Sequence, residues 1–358
     1  MLEKYESLNI KSKIFLINEL NEKFPKKYKN IKLLERCVKE LDLLYDKGIL
    51  FIIEILYKYK LYREEIVPIT YHFRGTINNL LLLYILEISN VDPIKYELPF
   101  ELFNDNNISV DLINAIPLDL LSYVNNVYHN EVKFVYGNHN KEDIEEINRL
   151  EDNYYLIIPF LGYKDSPACP ILKDIPFKMN EYLLLETIED YRNYTKEFLT
   201  IRIDEKTPIS NSKKGSLDNV LTNDFEKDIA EILSPKTIHD YVQIKSITNG
   251  TNVWNNNQDI FVKKGKINLD NLIATREDIL EYLLNHSIDR GKALEIVNFI
   301  RKGKQRKESK MWNEYVKIMK KKNCEDMFID IFSKIKFIFG RGQAVSECLF
   351  VLDKNNYY

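Results

Sequence analysis

A dense run of basic residues is the strongest chemical feature of this sequence. Ten lysines and arginines lie between Arg301 and Lys322, opposed only by Glu308 and Glu314, so the stretch carries a formal charge of +8. Cations clustered in this way are typical of a surface that follows the phosphates of a nucleic acid. A basic run is also typical of a solvated helix face, and composition alone does not decide between the two.

Other residue types that carry out chemistry are scattered along the chain. The five histidines form no His-x3-His or HExxH pattern, and no GxSxG, Walker or GxGxxG motif is present. Cys169 lies between prolines, and no basic or histidine neighbour in the sequence would activate it, so we expect an inert thiol. The sequence therefore gives no support to a hydrolase, a P-loop enzyme or a Rossmann enzyme.

Length and composition set broad limits. With 358 residues, 45% hydrophobic and 29% charged, the chain has the composition of a globular protein of about two domains. The longest apolar runs, Ile49–Ile53 and Leu80–Ile85, are too short to cross a bilayer. The N-terminus lacks the pattern of a secretory signal, and the four cysteines are scattered. We expect a cytoplasmic protein with reduced thiols and no membrane partner.

The net charge of −3 conceals an uneven distribution. Outside Arg301–Lys322 the chain carries −11. A near-neutral total argues against nucleic-acid binding only where the charge is evenly spread. The total of −3 therefore does not argue against DNA or RNA as a partner.

Apolar spacing predicts the elements that position these residues. We expect helices from Ile31 and over Ile49–Tyr59 and Asn79–Ile88. Branched apolar runs predict strands at Ile66–Ile69, Ile108–Ile113, Tyr154–Phe160, Tyr182–Thr187 and Phe198–Ile203. The polar stretch Thr207–Ser216 predicts a domain boundary, and the sequence beyond it is helical. The predicted fold class is α+β: a helical arm (1–29), a mixed α/β domain (30–206) and an all-helical domain (207–358).

Several stretches resemble, in the same order, the PolC type of bacterial DNA polymerase III alpha subunit. The clearest is Tyr241-Val-Gln-Ile-Lys-Ser-Ile-Thr-Asn-Gly-Thr-Asn-Val-Trp254, which is similar to a fingers stretch ending Ser-His-Gly-Thr-Asp-Val-Trp. The match continues in Leu33–Leu56, Val91–Phe103, Thr275–Leu280, Ala293–Lys304 and Ile331–Phe339. The resemblance implies a palm-like, nucleotidyltransferase-like domain at 30–206 and a fingers-like domain at 207–358, and it covers only these parts of the family.

The resemblance also indicates where the metal-binding carboxylates of the family would lie. Such polymerases hold two Mg²⁺ ions with an Asp-x-Asp strand and a third aspartate on a neighbouring strand. In Ile108–Asn114 the only carboxylate is Asp111, and Leu199–Ile203 places Arg202 at the third position. An arginine does not coordinate a cation, and Asp204, two residues on, is the only substitute nearby. We therefore expect no catalytic residue and no cofactor, Asp111 being a vestige.

Two further segments are assigned by the resemblance. The family's phosphate loop corresponds to Tyr71–Asn79, where Arg74, Gly75 and Thr76 are the predicted phosphate-binding residues although two glycines are lost. The predicted nucleic-acid-binding residues are Arg301, Lys302, Lys304, Arg306, Lys307, Lys334, Lys336 and Arg341, the last replacing the lysine of a Lys-Ala-His motif.

The predicted function is that of a catalytically inactive PolC-like pseudo-polymerase. It would bind nucleic acid or a replication protein and act as a regulator or decoy in DNA replication. Two alternatives stay open: an active DNA-directed DNA polymerase or nucleotidyltransferase that uses Asp111 with Mg²⁺, and an interaction protein that binds no nucleic acid.

Overall fold

The computed structural model describes residues 2–47, 50–64, 70–103, 108–113, 132–136, 154–158, 199–203 and 217–354. The chain divides into two compact units. The first comprises Met1–Asp92 and Asn104–Pro208, and the second comprises Pro93–Phe103 and Ile209–Tyr358.

Four helices form the described core of the first unit. They are α1 (Leu2–Lys27), α2 (Ile31–Asp46), α3 (Leu50–Glu64) and α4 (Leu81–Ile85). Helix α2 begins where the side chain of Asn30 accepts a hydrogen bond from the Lys32 amide, a standard N-cap. Apolar residues at helical spacing, such as Leu16 and Leu20 on α1 and Leu41 and Leu44 on α2, are almost completely buried.

A buried carboxylate joins α2 to the start of α4. Glu40 is fully buried, and it accepts hydrogen bonds from the Arg36 side chain and from the Leu82 amide, each at 2.8 Å. Arg36 also donates to the carbonyl of Asn79 at 2.7 Å. These bonds satisfy polar groups that burial would otherwise leave unpaired.

Five short strands belong to the first unit. They are β1 (Thr70–Arg74), β2 (Ile108–Ile113), β3 (Val132–Tyr136), β4 (Tyr154–Ile158) and β5 (Leu199–Ile203). One sheet has the order β1-β2-β5, antiparallel and then parallel, and β3 pairs with β4 in a parallel ladder. The strands predicted near β2, β4 and β5 are present. Those predicted at Ile66–Ile69 and Tyr182–Thr187 lie outside the described residues.

The predicted fold class, α+β with a mixed palm-like domain before a helical one, is wrong. Of the residues whose side chains the structure describes, 72% lie in helices, and among them only Phe73 belongs to a named strand. The physical reason is that the longest apolar segments of the first unit pack helix against helix in α1 to α4. The described strands have only five or six residues each and do not supply that core. The helical, fingers-like prediction for the second half fits.

The second unit is helical. Its helices are α5 (Asp224–Leu233), α6 (Ile238–Asn249), α7 (Asp259–Lys263), α8 (Arg276–Asn285), α9 (Arg290–Ile300), α10 (Ser309–Lys321), α11 (Asp326–Lys334) and α12 (Arg341–Lys354). Threonine and aspartate three residues apart form capping boxes at α6 (Thr237, Asp240) and α8 (Thr275, Asp278). None of the described helices is long and apolar enough to cross a membrane.

Candidate functional site

An extended segment, Ile335–Phe339, gathers three stretches of the second unit. Its backbone hydrogen bonds reach Thr251, Arg301 and Arg276, which lie in three of the segments that the resemblance singles out. The bonds run from Thr251 N–H to Phe337 O at 2.8 Å, from Lys336 N–H to Thr251 O at 3.0 Å, from Ile338 N–H to Arg301 O at 3.4 Å and from Arg276 N–H to Phe339 O at 3.0 Å. Residues far apart in sequence are thereby fixed around one short segment.

The turn after α9 is packed tightly against this segment. Gly303 has a φ of +65°, and a Cβ atom there would lie 2.7 Å from the carbonyl oxygen of Lys336. Only glycine accepts both this backbone conformation and this approach without strain. Gln305 is buried and donates hydrogen bonds to the carbonyls of Phe332 and Ile335, which fixes the turn further. The lysines on either side of Gly303 are therefore carried on a rigid turn.

Most of the predicted nucleic-acid-binding residues form an exposed surface on and after this turn. The basic surface, as we define it, consists of Lys302, Lys304, Arg306, Lys307, Lys310 and Lys336, all exposed. Lys304 lies 3.7 Å from Glu308, a long ion pair. The other five form no ion pair with any residue in the described part of the chain. Helix α10 buries Tyr315 and Met319 and leaves its lysines exposed, so the positive charge is concentrated on the solvent side.

Three other predicted contacts are placed differently. Arg301 and Lys334 are half-buried, and Lys334 pairs with Asp330 at 2.7 Å. Arg341 is only 3% exposed, and its guanidinium donates to Asp278 at 2.7 Å and lies 2.9 Å from Glu281. Burial acts to lower the pKa of Arg341, but these carboxylates outweigh it and raise that pKa. Arg341 is thus engaged inside the unit, which speaks against direct contact with nucleic acid.

Arg276 is a buried basic residue that the sequence did not single out. Arg276 is 7% exposed, its Nε atom is buried without a hydrogen-bond partner, and no carboxylate among the described residues pairs with it. A Cβ atom on Gly340 would lie 2.4 Å from its Nη2 atom, so the glycine makes room for the guanidinium. Sequence reasoning read Arg276 only as part of a matching segment, because burial of an arginine leaves no local signal.

The predicted phosphate loop includes a buried turn that is held by hydrogen bonds within the loop. Gly75 has a φ of +84°, which favours glycine, and Thr76 is only 1% exposed. Asn78 is buried, and its amide donates to the carbonyls of Phe73 at 2.7 Å and of Gly75 at 3.3 Å. Arg74 is the last residue of β1. Of the three predicted phosphate-binding residues, Arg74 therefore lies at the end of a strand, whereas Gly75 and Thr76 lie in the turn that follows.

The strands bring Asp111 and Arg202 to neighbouring positions. Asp111 on β2 is the register partner of Arg202 on β5, and His72 on β1 is its partner on the other side. Register partners on adjacent strands share one face of a sheet. A Mg²⁺ pair needs several carboxylate or other oxygen ligands, whereas here one aspartate lies between an arginine and a histidine. Asp204, the other carboxylate that the resemblance offers nearby, lies outside the described residues.

Two models of known protein families match the chain. A model of the bacterial DNA polymerase III alpha NTPase domain matches residues 13–253, which is more than half of the chain. A model of the bacterial DNA polymerase III alpha subunit finger domain matches residues 185–323.

Individual relatives agree with the family models. The chain is 30% identical over 200 residues to a PolC-type DNA polymerase III of Clostridium perfringens, an alignment covering 53% of this chain and 13% of that protein. It is 27% identical over 205 residues to the PolC-type enzyme of Staphylococcus aureus, covering 57% and 14%. With that of Caldanaerobacter subterraneus it shares 34% over 112 residues, covering 31% and 8%. The matches thus span about a tenth of these relatives. The chain belongs to the bacterial DNA polymerase III alpha family and resembles its PolC-type members.

Proposed function

We propose that this protein binds nucleic acid through the basic surface of its second unit. The observation that carries the proposal is the set of exposed cations, Lys302 to Lys310 with Lys336, held on a turn that Gly303 and Gln305 fix. Rigid presentation lowers the entropic cost of binding a polyanion, and each phosphate contact releases counterions. Family membership supports the same kind of ligand.

We also propose that the protein acts by binding rather than by nucleotide transfer. Asp111 has Arg202 as its register partner, and the positive charge of the guanidinium opposes a metal ion at that place. A polymerase that lacks its metal ligands loses the charge stabilisation that two-metal transfer requires. A relative of this kind would regulate replication, either as a decoy for DNA or RNA or by holding a replication protein.

Binding is tested by fluorescence anisotropy with labelled single-stranded and duplex DNA and with RNA over a range of salt. We expect affinity to fall with salt, and reversal of Lys302, Lys304, Arg306 and Lys307 to glutamate to abolish most of it. The log–log salt slope should drop by about one unit for each phosphate group that the variant no longer binds.

A matched control reverses four exposed lysines elsewhere in the same unit, Lys227, Lys236, Lys264 and Lys266. This control should leave affinity within a few fold of wild type. Equal reductions in affinity in the two variants would show non-specific attraction to any positive surface. Salt-independent binding, or no binding at all, would favour an interaction protein without a nucleic-acid ligand.

Catalysis is tested by primer extension with Mg²⁺ and with Mn²⁺. We expect no product with either metal ion. A template-dependent product that disappears in Asp111→Ala would establish the alternative, an active polymerase.

A further inference from the structure

A row of charged side chains with alternating sign runs along the exposed side of helix α2. The row consists of Lys32, Glu35, Lys39 and Asp42, spaced by three, four and three residues, and all four are exposed. Residues at this spacing lie above one another on a single face of a helix. Lys32, Glu35 and Lys39 form no ion pair with any residue that the structure describes. Three of the four charges are therefore available to a partner.

Exposed aliphatic residues lie beside this charged row. Ile31 and Val38, each one position before a lysine of the row, are 63% and 43% exposed. On the neighbouring helix α1, Ile10 and Ile14 are 46% and 59% exposed. Large aliphatic side chains gathered in this way and bordered by charge are typical of a surface that another protein covers.

These aliphatic residues face one groove between α1 and α2. The two helices are joined by only three residues, 28–30, so they run antiparallel. Lys13 and Asp42 bridge them at 2.7 Å with side chains 31% and 52% exposed, so this ion pair marks the outer side of the helix contact. Ile10 lies one turn before Lys13, and Val38 lies one turn before Asp42. Both therefore point to the outer groove that the ion pair marks.

The charged row is complementary to itself when it is read in the opposite direction. Its signs are plus, minus, plus, minus, so a second copy of α2 lying antiparallel to the first places Lys32 opposite Asp42. The same alignment places Glu35 opposite Lys39. Position 37 is midway within both pairs, so one two-fold axis serves both, and the symmetry repeats each pair. Two α2 helices lying parallel and in register would set like charges against each other.

The aliphatic residues fit the same two-fold axis. Val38 is one residue from position 37, so its two copies meet near the centre of the interface. Ile31 lies at one end of the groove, and Ile10 and Ile14 lie toward the other end, beside the ion pair that joins α1 to the C-terminal part of α2. The two-fold rotation brings Ile31 of one copy to Ile10 and Ile14 of the other. Charge and apolar contact thus require a single geometry.

We propose that the first unit pairs with a second copy of this chain through the α1–α2 face, as a two-fold dimer with antiparallel α2 helices. Helix α2 has 16 residues and is about 24 Å long, and two adjacent helices are about 20 Å wide, so each copy contributes about 500 Å². A total of about 1,000 Å² is at the low end for a specific interface, so the dimer is a reversible one. The proposal does not rest on nucleic-acid binding by the second unit.

The test is sedimentation velocity of the full chain over a wide range of protein concentration, at low and at high salt. We expect a monomer–dimer equilibrium whose dissociation constant rises with salt, because salt screens ion pairs at a surface. Circular dichroism of each variant below verifies that it is folded.

Two variants keep the net charge of the wild type and differ only in the order of the charges. Glu35→Lys with Lys39→Glu keeps opposite charges across the axis and should leave the dissociation constant within a few fold of wild type. Lys32→Glu with Glu35→Lys sets like charges against each other in every pair. This second variant should raise the dissociation constant by about tenfold or more.

The apolar contact is tested by Val38→Asp, which places two carboxylates near the two-fold axis and should abolish the dimer. The control is Ile260→Asp, at a residue of the second unit that is 37% exposed, and it should leave the dissociation constant unchanged. A wild-type chain that stays monomeric at every concentration would overturn the proposal in favour of a different protein as the occupant of this face. Equal dissociation constants for the two charge-order variants would overturn the axis at position 37, and a dimer that survives Val38→Asp would place the contact elsewhere.

Discussion

Arg341 and Asp278 form a buried ion pair, with 2.7 Å between Nη2 and Oδ1 and with side chains 4% and 10% exposed. The other oxygen of Asp278 accepts hydrogen bonds from the amides of Ala274 at 2.8 Å and Thr275 at 2.6 Å. One carboxylate therefore caps helix α8 and anchors the first residue of α12. Arg341, which stands where the resemblance places a lysine of the fingers, is therefore part of the packed interior of the second unit.

Replacing Arg341 by methionine should destabilise the second unit. The change leaves the largely buried carboxylate of Asp278 without the guanidinium that pairs with it, and Glu281 loses the same partner. Breaking a buried pair in this way costs about 3 to 5 kcal/mol. Denaturant unfolding measures the destabilisation, and Lys264→Met, at an exposed position, should change stability by less than about 0.5 kcal/mol. Equal stability of the two variants would contradict a structural role for the pair.

Helix starts in the second unit were readable from the sequence because their signals are local. Thr275 and Asp278 stand three residues apart and form the capping box of α8. The helix predicted over Ile49–Tyr59 is present as α3. The fold class of the first half was not readable, because branched runs such as Ile108–Ile113 indicate strands locally, whereas the share of the core that helices supply depends on packing between distant segments.

The same distinction between local and long-range signals applies to the candidate sites. The cluster of basic residues from Lys302 to Lys310 could be recognised from the composition of the sequence, and these side chains are exposed in the structure. Burial of Arg341 was not visible, because it depends on Asp278 and Glu281, about sixty positions away. The register that sets Asp111 beside Arg202 is likewise a long-range property of strand pairing.

Because of Glu40, the free energy of unfolding should depend on pH, and a variant that does not titrate at this position should show the contribution of this one group. Burial raises the pKa of Glu40, although Arg36 opposes this shift. The folded state therefore binds a proton more tightly than the unfolded state. Stability from this group is present below the unfolded pKa, near 4.5, and is lost as pH rises toward the folded pKa.

Glu40→Gln removes that titration and keeps the shape of the side chain. The difference in unfolding free energy, wild type minus variant, should therefore decrease between pH 4.5 and neutral pH. Chemical denaturation at several pH values measures it, and subtraction cancels the groups common to both proteins. A difference that grows with pH would mean that Arg36 and the Leu82 amide lower the pKa of Glu40 overall.

Lys245 and Glu226 form a second buried ion pair, at 2.8 Å. Glu226 also accepts a hydrogen bond from the Thr222 amide at 2.6 Å. Lys245→Met should cost about 3 to 5 kcal/mol because the carboxylate is left buried without its cation. Adding Glu226→Gln should recover part of that stability, since the neutral amide still serves Thr222. A double-mutant cycle measured by unfolding gives the coupling, and strictly additive effects would show that the pair is not coupled.

Gly303 should matter for both stability and nucleic-acid binding, and Gly265 provides a matched control. Both glycines have positive φ, +65° and +66°, but a Cβ atom on Gly265 would meet nothing within 4 Å. Gly265→Ala should therefore cost only the backbone strain, about 1 to 2 kcal/mol. Gly303→Ala adds a clash with the Lys336 carbonyl, for about 1 to 3 kcal/mol more.

The clash also has a consequence for function, because it pushes the Lys302–Lys304 turn away from Lys336. At temperatures where both variants stay folded, Gly303→Ala should bind DNA several-fold more weakly than Gly265→Ala. Circular dichroism verifies folding, and anisotropy measures affinity in the same buffer. If Gly303→Ala were destabilised yet bound DNA like wild type, the cations would act as independent charges, and the rigid turn would have no part in binding.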